Sequence, residues 1–156
     1  MATQTNYYLK MQKLRRSLEL EEEIILLGTM PLPNVLDRYT ESDIVVLPVI
    51  IGCDGDRDIT PNVVIEAMAM QRPVISTHVA AILEIIEDEV SGMLVPSRDK
   101  NASADAIVRL IDDPGLREEI GHNARERVEE RFNARKNIGH FVTLYGNGEQ
   151  NLDGEK

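Results

Sequence analysis

The chain has 156 residues, 42% of them apolar, so one domain with a buried core is expected; with 4% aromatics and no Trp that core must be aliphatic. A formal charge of −10 excludes a broad nucleic-acid or anionic-membrane surface, because phosphates would be repelled. The single Cys53 excludes a disulfide framework within the chain, and His78, His122 and His140 show no ligand spacing, so no metal cluster is suggested. The polar N-terminus does not read as a signal peptide and no apolar run reaches bilayer length, which makes the cytoplasm the expected compartment.

In chain order, residues 5–20 read as a helix, with Tyr8, Met11, Leu14 and Leu18 at helical spacing. Glu21 to Glu23 lead into an expected strand, Ile24–Leu27, which ends at Gly28. Pro33 to Ser42 predict a short helix with Val35, Leu36 and Tyr39 inward, followed by a strand over Asp43–Pro48. These strands are apolar on both faces, as in a parallel sheet covered by helices on both sides. Residues 49–60 form a Gly- and Asp-rich loop, and the next helix, 61–71, turns Val64, Ile65, Met68 and Ala69 inward.

A strand at 73–77, a short helix near 80–88 and a strand at 91–96 follow. Helix 101–112 places Ala102, Ala106, Ile107, Leu110 and Ile111 on one face. Asp113-Pro114 supplies an N-cap and a first-turn proline for a helix with Leu116, Ile120, Ala124 and Val128 at steps of four. A last helix is expected from 134 to 145, and the polar tail 146–156 is expected to be disordered. Strands alternating with helices define an α/β class, a Rossmann-like parallel sheet flanked by helices, with about four strands.

The chemistry concentrates between Asp58 and Pro73. Thr60 suits an N-cap and Pro61 the first helical position, so the amides of Asn62 and Val63 are free donors at a positive helix end. That arrangement suits a phosphate. Asp58 precedes the cap and accepts hydrogen bonds from hydroxyls or cations, while Glu66, four residues beyond Asn62, shares its helix face. Two carboxylates about a phosphate-seeking helix end fit a ligand with both phosphate and hydroxyls, such as a nucleotide-sugar. A reading without any ligand also accounts for the pair: Asp58 favours the helix dipole and Glu66 pairs with Arg72 or another surface cation.

At these residues the chain resembles the C-terminal, nucleotide-sugar-binding domain of GT-B glycosyltransferases, in particular the retaining family 4, or group 1. Asp43-Ile-Val-Val-Leu-Pro48 looks like the strand before the donor loop, and Asp58 and Glu66 have the spacing of the family's E-x7-E pair. Pro61 to Ala69, Arg72 to Ile75, Glu84, Ser91 to Val95 and the helix around Arg117–Arg131 follow in the family's order, over roughly residues 8–145. The first carboxylate is Asp rather than Glu, Ile59 stands where a glycine is usual, and Ala80-Ala81 where the family often has Gly-Gly.

The resemblance implies roles. Asp58, Ile59 and Thr60 would meet the donor sugar, Pro61, Asn62 and Val63 the diphosphate, Glu66 the ribose hydroxyls, and Gly28, Thr29 and Met30 the base. It implies sugar transfer with retention, no bound metal, and a place in glycan biosynthesis. It also implies an incomplete enzyme. The acceptor domain, the two central strands of the family's 3-2-1-4-5-6 order and the diphosphate-neutralising Arg and Lys have no counterpart in this sequence. A partner chain or a second copy is then expected to complete the sheet. A non-catalytic nucleotide-sugar-binding module and a remnant that recruits a partner are the alternatives. A receiver-type regulator fits poorly, because Gly28 and Pro48 occupy the strand ends where it needs acids.

Overall fold

The structure, a computed structural model, describes residues 2–49 and 61–132. Asp58, Ile59 and Thr60, expected to meet the donor sugar, the expected helix 134–145 and the tail 146–156 lie outside the described residues. The elements are α1 (Ala2–Ser17), α2 (Leu32–Glu41), β1 (Val45–Leu47), α3 (Pro61–Ala69), β2 (Val74–Thr77), α4 (Ala80–Ile85), β3 (Met93–Val95), α5 (Lys100–Asp112) and α6 (Pro114–Arg131). The chain divides into two units, Met1–Leu32 and Pro33–Lys156.

In the first unit, α1 ends in a turn where Leu18 N and Leu20 N donate to Leu14 O and Arg15 O. Residues 24–27 are not a strand. Their expected ladder is replaced by local bonds: Ile24 N donates to Leu20 O, and Arg15 Nη1 donates to Ile24 O at 2.9 Å. A strand needs a neighbouring backbone to bond with, and the bonds of this segment are local. Apolar composition therefore sufficed to suggest a strand but not to make one. Tyr8, Met11, Leu14 and Leu18 keep their helical spacing but stand exposed.

The second unit is built on a parallel sheet in the order β1-β2-β3, three strands among the described residues rather than about four. Alternation along the strands sends side chains into two separate cores. Val74 and Leu94 join Val64, Ala67 and Met68 of α3, Ile82 and Ile85 of α4, and Tyr39 of α2. Ile75, Met93 and Val95 face the other way, onto Ala106 and Leu110 of α5. Helix α6 serves both cores, Ile120 in the second and Ala124 and Val128 in the first. This is the doubly covered sheet expected from strands apolar on both faces. On α5 the expected inward Ile111 is 56% exposed, because the core takes Ala106 and Leu110 and the next position turns to solvent.

The helix ends follow the sequence. The Asp99 carboxylate accepts from Asn101 N and Ala102 N at 3.0 Å each, and Asp113 accepts from Leu116 N at 2.9 Å with Pro114 opening α6. Just past the end of α3, Gln71 takes the left-handed conformation of a helix C-terminus, with φ 59°, and Arg72 N returns to Ala67 O. Gly121 of α6 lies against that turn: a Cβ there would sit 2.6 Å from Gln71 O.

Candidate functional site: the carboxyl ends of the parallel strands

In a parallel sheet, ligands gather beyond the carboxyl ends of the strands. Here β1 leaves at Leu47 and the chain returns as α3, so the start of α3 stands at that end of the sheet. Two buried hydroxyls tie the chain leaving β1 to its neighbour. Ser76 Oγ donates to Leu47 O at 2.8 Å and Thr77 Oγ1 to Val49 O at 2.6 Å. Both side chains are essentially inaccessible to solvent, so each bond also satisfies a hydroxyl that would otherwise be costly to bury. From the surface Ser97 Oγ also donates to Val49 O, at 3.3 Å. The backbone is thus tied down as far as Val49.

Helix α3 buries Val64, Ala67 and Met68 completely and leaves Asn62 exposed, with Val63 and Glu66 half-buried between. Asn62 and Glu66 lie one turn apart on that rim, as their spacing predicts. The amides of Asn62 and Val63 fall in the first turn of α3, where the helix itself supplies no acceptor.

Arg72 is not the partner of Glu66. Its Nε donates to Met70 O at 3.1 Å and its Nη1 to Ser42 O at 3.1 Å, so it closes the end of α3 onto the end of α2. No ion pair among the described residues involves Glu66. Its charge acts instead on Tyr39 of α2. Burial pushes the Tyr39 phenol above its ordinary value, and the charge of Glu66 adds to the rise. Periodicity placed Tyr39 in the core without showing this link; a phenol on an inward face, which needs a polar partner when buried, was the available signal.

A groove of about 370 Å³ opens on the other face of the sheet, lined by Val46 and Pro48 of the β1 strand end, Thr77, and Arg98 to Lys100 with Ser103 and Ile107 about the start of α5. Asn62, Val63 and Glu66 are not among the described residues that line it. Arg98 and Lys100 are cations at the ligand end of the sheet that the sequence reading left without a role. Gly28, Thr29 and Met30 belong to the first unit, where Gly28 turns with φ 69° and open space around it. Among the described residues no cluster of His, Cys, Asp or Glu is arranged to hold a metal ion, and no helix is long and apolar enough to cross a membrane.

The sequence model of the family described as "Glycosyl transferases group 1" matches residues 4–113. The amylovoran biosynthesis glycosyltransferase AmsK of Erwinia amylovora is 36% identical over 115 residues, 74% of this chain and 28% of that protein. Sucrose-phosphate synthase of Thermosynechococcus elongatus superposes with a TM-score of 0.75 at 30% identity, over 88% of this chain and 33% of that one. The Anabaena protein Alr3699/HepE, solved with UDP and glucose, gives a TM-score of 0.75 at 20% identity, over 92% of this chain and 38% of the other, and shares the fold. The chain thus spans about 28% of the length of the curated relative AmsK. A doubly covered parallel sheet of GT-B type, a helix opening at its ligand end and a family match over most of the sequence agree, and the chain belongs to the group 1 glycosyltransferases.

Proposed function

We propose that this chain binds a nucleotide-diphosphate sugar as the donor-side portion of a retaining glycosyltransferase of glycan biosynthesis, and that transfer requires an acceptor-binding half from elsewhere. The observation that carries the reading is the rim of α3. Two amides open the helix at the carboxyl end of the sheet, and Glu66, in none of the ion pairs above, stands one turn further on. Amides at a helix start suit a diphosphate, and a carboxylate suits a ribose diol. Asp58, Ile59 and Thr60 would meet the sugar, and Gly28, Thr29 and Met30 the base. HepE, a neighbour of this fold, was solved with UDP and glucose, which supports the ligand class.

No resident metal enters this proposal. The leaving diphosphate would be stabilised by the helix end and by basic side chains, an electrostatic role that preorganised donors fill well. Residues 1–145 are read as part of one donor-binding domain and 146–156 as a tail. A chain with one cysteine also suits the reducing cytoplasm.

A second reading, a module that recruits a partner, is favoured by the outer edge of β1. Val45 N donates to Pro73 O, so alternation turns the N–H and C=O of Val46 away from β2. Val46 is 40% exposed. The opposite edge is treated differently: Leu94 N of β3 donates to the Asp88 carboxylate at 2.7 Å. A partner chain or second copy completing the sheet at β1 is compatible with both readings.

Calorimetry with UDP, GDP and their sugars tests the donor reading. Saturable heat with one nucleotide, lost in Glu66→Ala and unchanged by EDTA, is the expected result. No heat with any of them would overturn it.

A further inference from the structure

We propose that the outer edge of β1 is the contact of a two-fold dimer: a second copy of this chain adds its own β1 antiparallel to the first, Val46 facing Val46, and the two sheets become one. This dimer rests on the recruiting reading of the edge given above and commits it to one occupant.

The edge is open and unguarded. Val45 N is bonded to Pro73 O on the β2 side, so the N–H and C=O of Val46 point outward, and its side chain is 40% exposed. Asp43 to Pro48 carries no lysine, a common guard of edge strands, and its proline stands past the end of β1. Helix α5 packs on β2 and β3, and beside it Val46, Pro48 and Ile107 line the groove of about 370 Å³. On β3 the Leu94 N–H is already taken by Asp88.

Centring the two-fold on Val46 fixes the register. Each Val46 can exchange both backbone hydrogen bonds with its counterpart. Two positions away, Ile44 of one copy lies opposite Pro48 of the other. Ile44 packs on the α5 side of its own sheet, with Ile75 and Leu110, so it arrives at the mouth of the neighbour's groove. Pro48 has no N–H to return, and the ladder ends there.

The charges along the edge fit the same register. Asp43 of one copy falls opposite Val49 of the other. Val49 O receives the Ser97 hydroxyl, and Arg98 and Lys100 follow on the rim of the groove. Asp43, Arg98 and Lys100 are exposed and belong to no ion pair among the described residues. The two-fold brings the acid of each copy to the cations of the other, although each chain carries −10 overall. Exposed pairs of this kind add little energy but select orientation: a parallel second copy would set cations against cations. An edge complementary to itself in backbone, side chains and charge suits an isologous contact, which closes at two copies.

The test is sedimentation velocity of the full chain over a range of concentrations, with hydrogen exchange at the Val46 amide followed by NMR. Far-UV circular dichroism checks that each variant is folded. The unaltered chain is expected to run at twice the mass of one chain, with a Val46 amide whose protection rises with concentration. Val46→Lys should run as a folded monomer. Asp43→Lys and the double variant Arg98→Glu/Lys100→Glu should each weaken self-association about tenfold or more, by placing like charges together. Mixing these two charge variants should restore the dimer, because every contact then joins opposite charges again. A mixture that stays monomeric would overturn the antiparallel register, and a dimer unchanged by Val46→Lys would move the contact elsewhere; either sinks the proposal. A monomer whose Val46 amide exchanges freely would also overturn it, while leaving the edge open to a different chain. A monomer with a protected Val46 amide would show the edge already filled, and the recruiting reading would fall with the dimer.

Discussion

The hydroxyl of Thr77 donates to the carbonyl oxygen of Val49 over 2.6 Å, joining the last residue of β2 to the last described residue after β1. With Ser76 bonded to Leu47, it means that the chain leaves β1 from a fixed point. Thr77→Val keeps the shape and removes the hydroxyl, leaving Val49 O without that buried donor. A loss of about 1–3 kcal/mol is expected in urea unfolding. If the donor reading holds, nucleotide affinity falls as well, because the loop then starts from a looser anchor. An unchanged unfolding midpoint would show that the bond is not needed.

Gly121→Ala gives a prediction of opposite sign to helix propensity. In an exposed helix interior the change would gain about 1 kcal/mol. Here the new Cβ would stand 2.6 Å from Gln71 O, a backbone atom at the end of α3 that cannot swing aside. The expected result is a net destabilisation of about 1–3 kcal/mol and a lowered melting temperature.

Asp113→Ala removes the side-chain acceptor of Leu116 N at the start of α6. The expected cost is about 1 kcal/mol, measured by chemical unfolding. Asp113→Asn keeps an acceptor and should recover most of it.

Val46→Lys addresses the outer edge of β1. The side chain is 40% exposed, so the isolated chain should lose little stability. A charge on an edge strand opposes strand addition, so association with a sheet-completing partner or a second copy should be lost. Sedimentation of the chain alone and with an acceptor-side half measures this. Association unchanged by the lysine would move the interface away from β1.

Tyr39 makes stability depend on alkaline pH. Its pKa is raised in the folded chain, by burial first and then by Glu66. The unfolded chain therefore loses the phenol proton at lower pH than the folded one. The associated stability is fully present below the ordinary phenol value and is lost as pH rises through the elevated one. Unfolding free energy should decline above about pH 10, the ordinary phenol value, and this component of the decline should disappear in Tyr39→Phe.

Much of the architecture was legible because it follows from local chemistry. Asp113-Pro114 announced α6, apolar steps of four gave its buried residues, and strands apolar on both faces gave a sheet covered twice. The rim shared by Asn62 and Glu66 followed from helical period alone. The remainder depended on what another part of the chain offers. Ile24–Leu27 has the composition of a strand, yet its backbone bonds locally, since a ladder exists only with a neighbour beside it. Ile111 fits the apolar stripe of α5 but faces solvent, because the width of the contact between helix and sheet is set by the sheet.

The sequence by itself determined the class of fold, the helix ends and a carboxylate one turn beyond a helix opening, all consequences of spacing within single segments. Only the tertiary structure decided the partners. Arg72 turned to backbone carbonyls, Tyr39 of another helix came to Glu66, and Thr77 reached across to Val49. A side chain's reach across elements depends on how those elements pack, and periodicity within one element carries no record of the distance to the next.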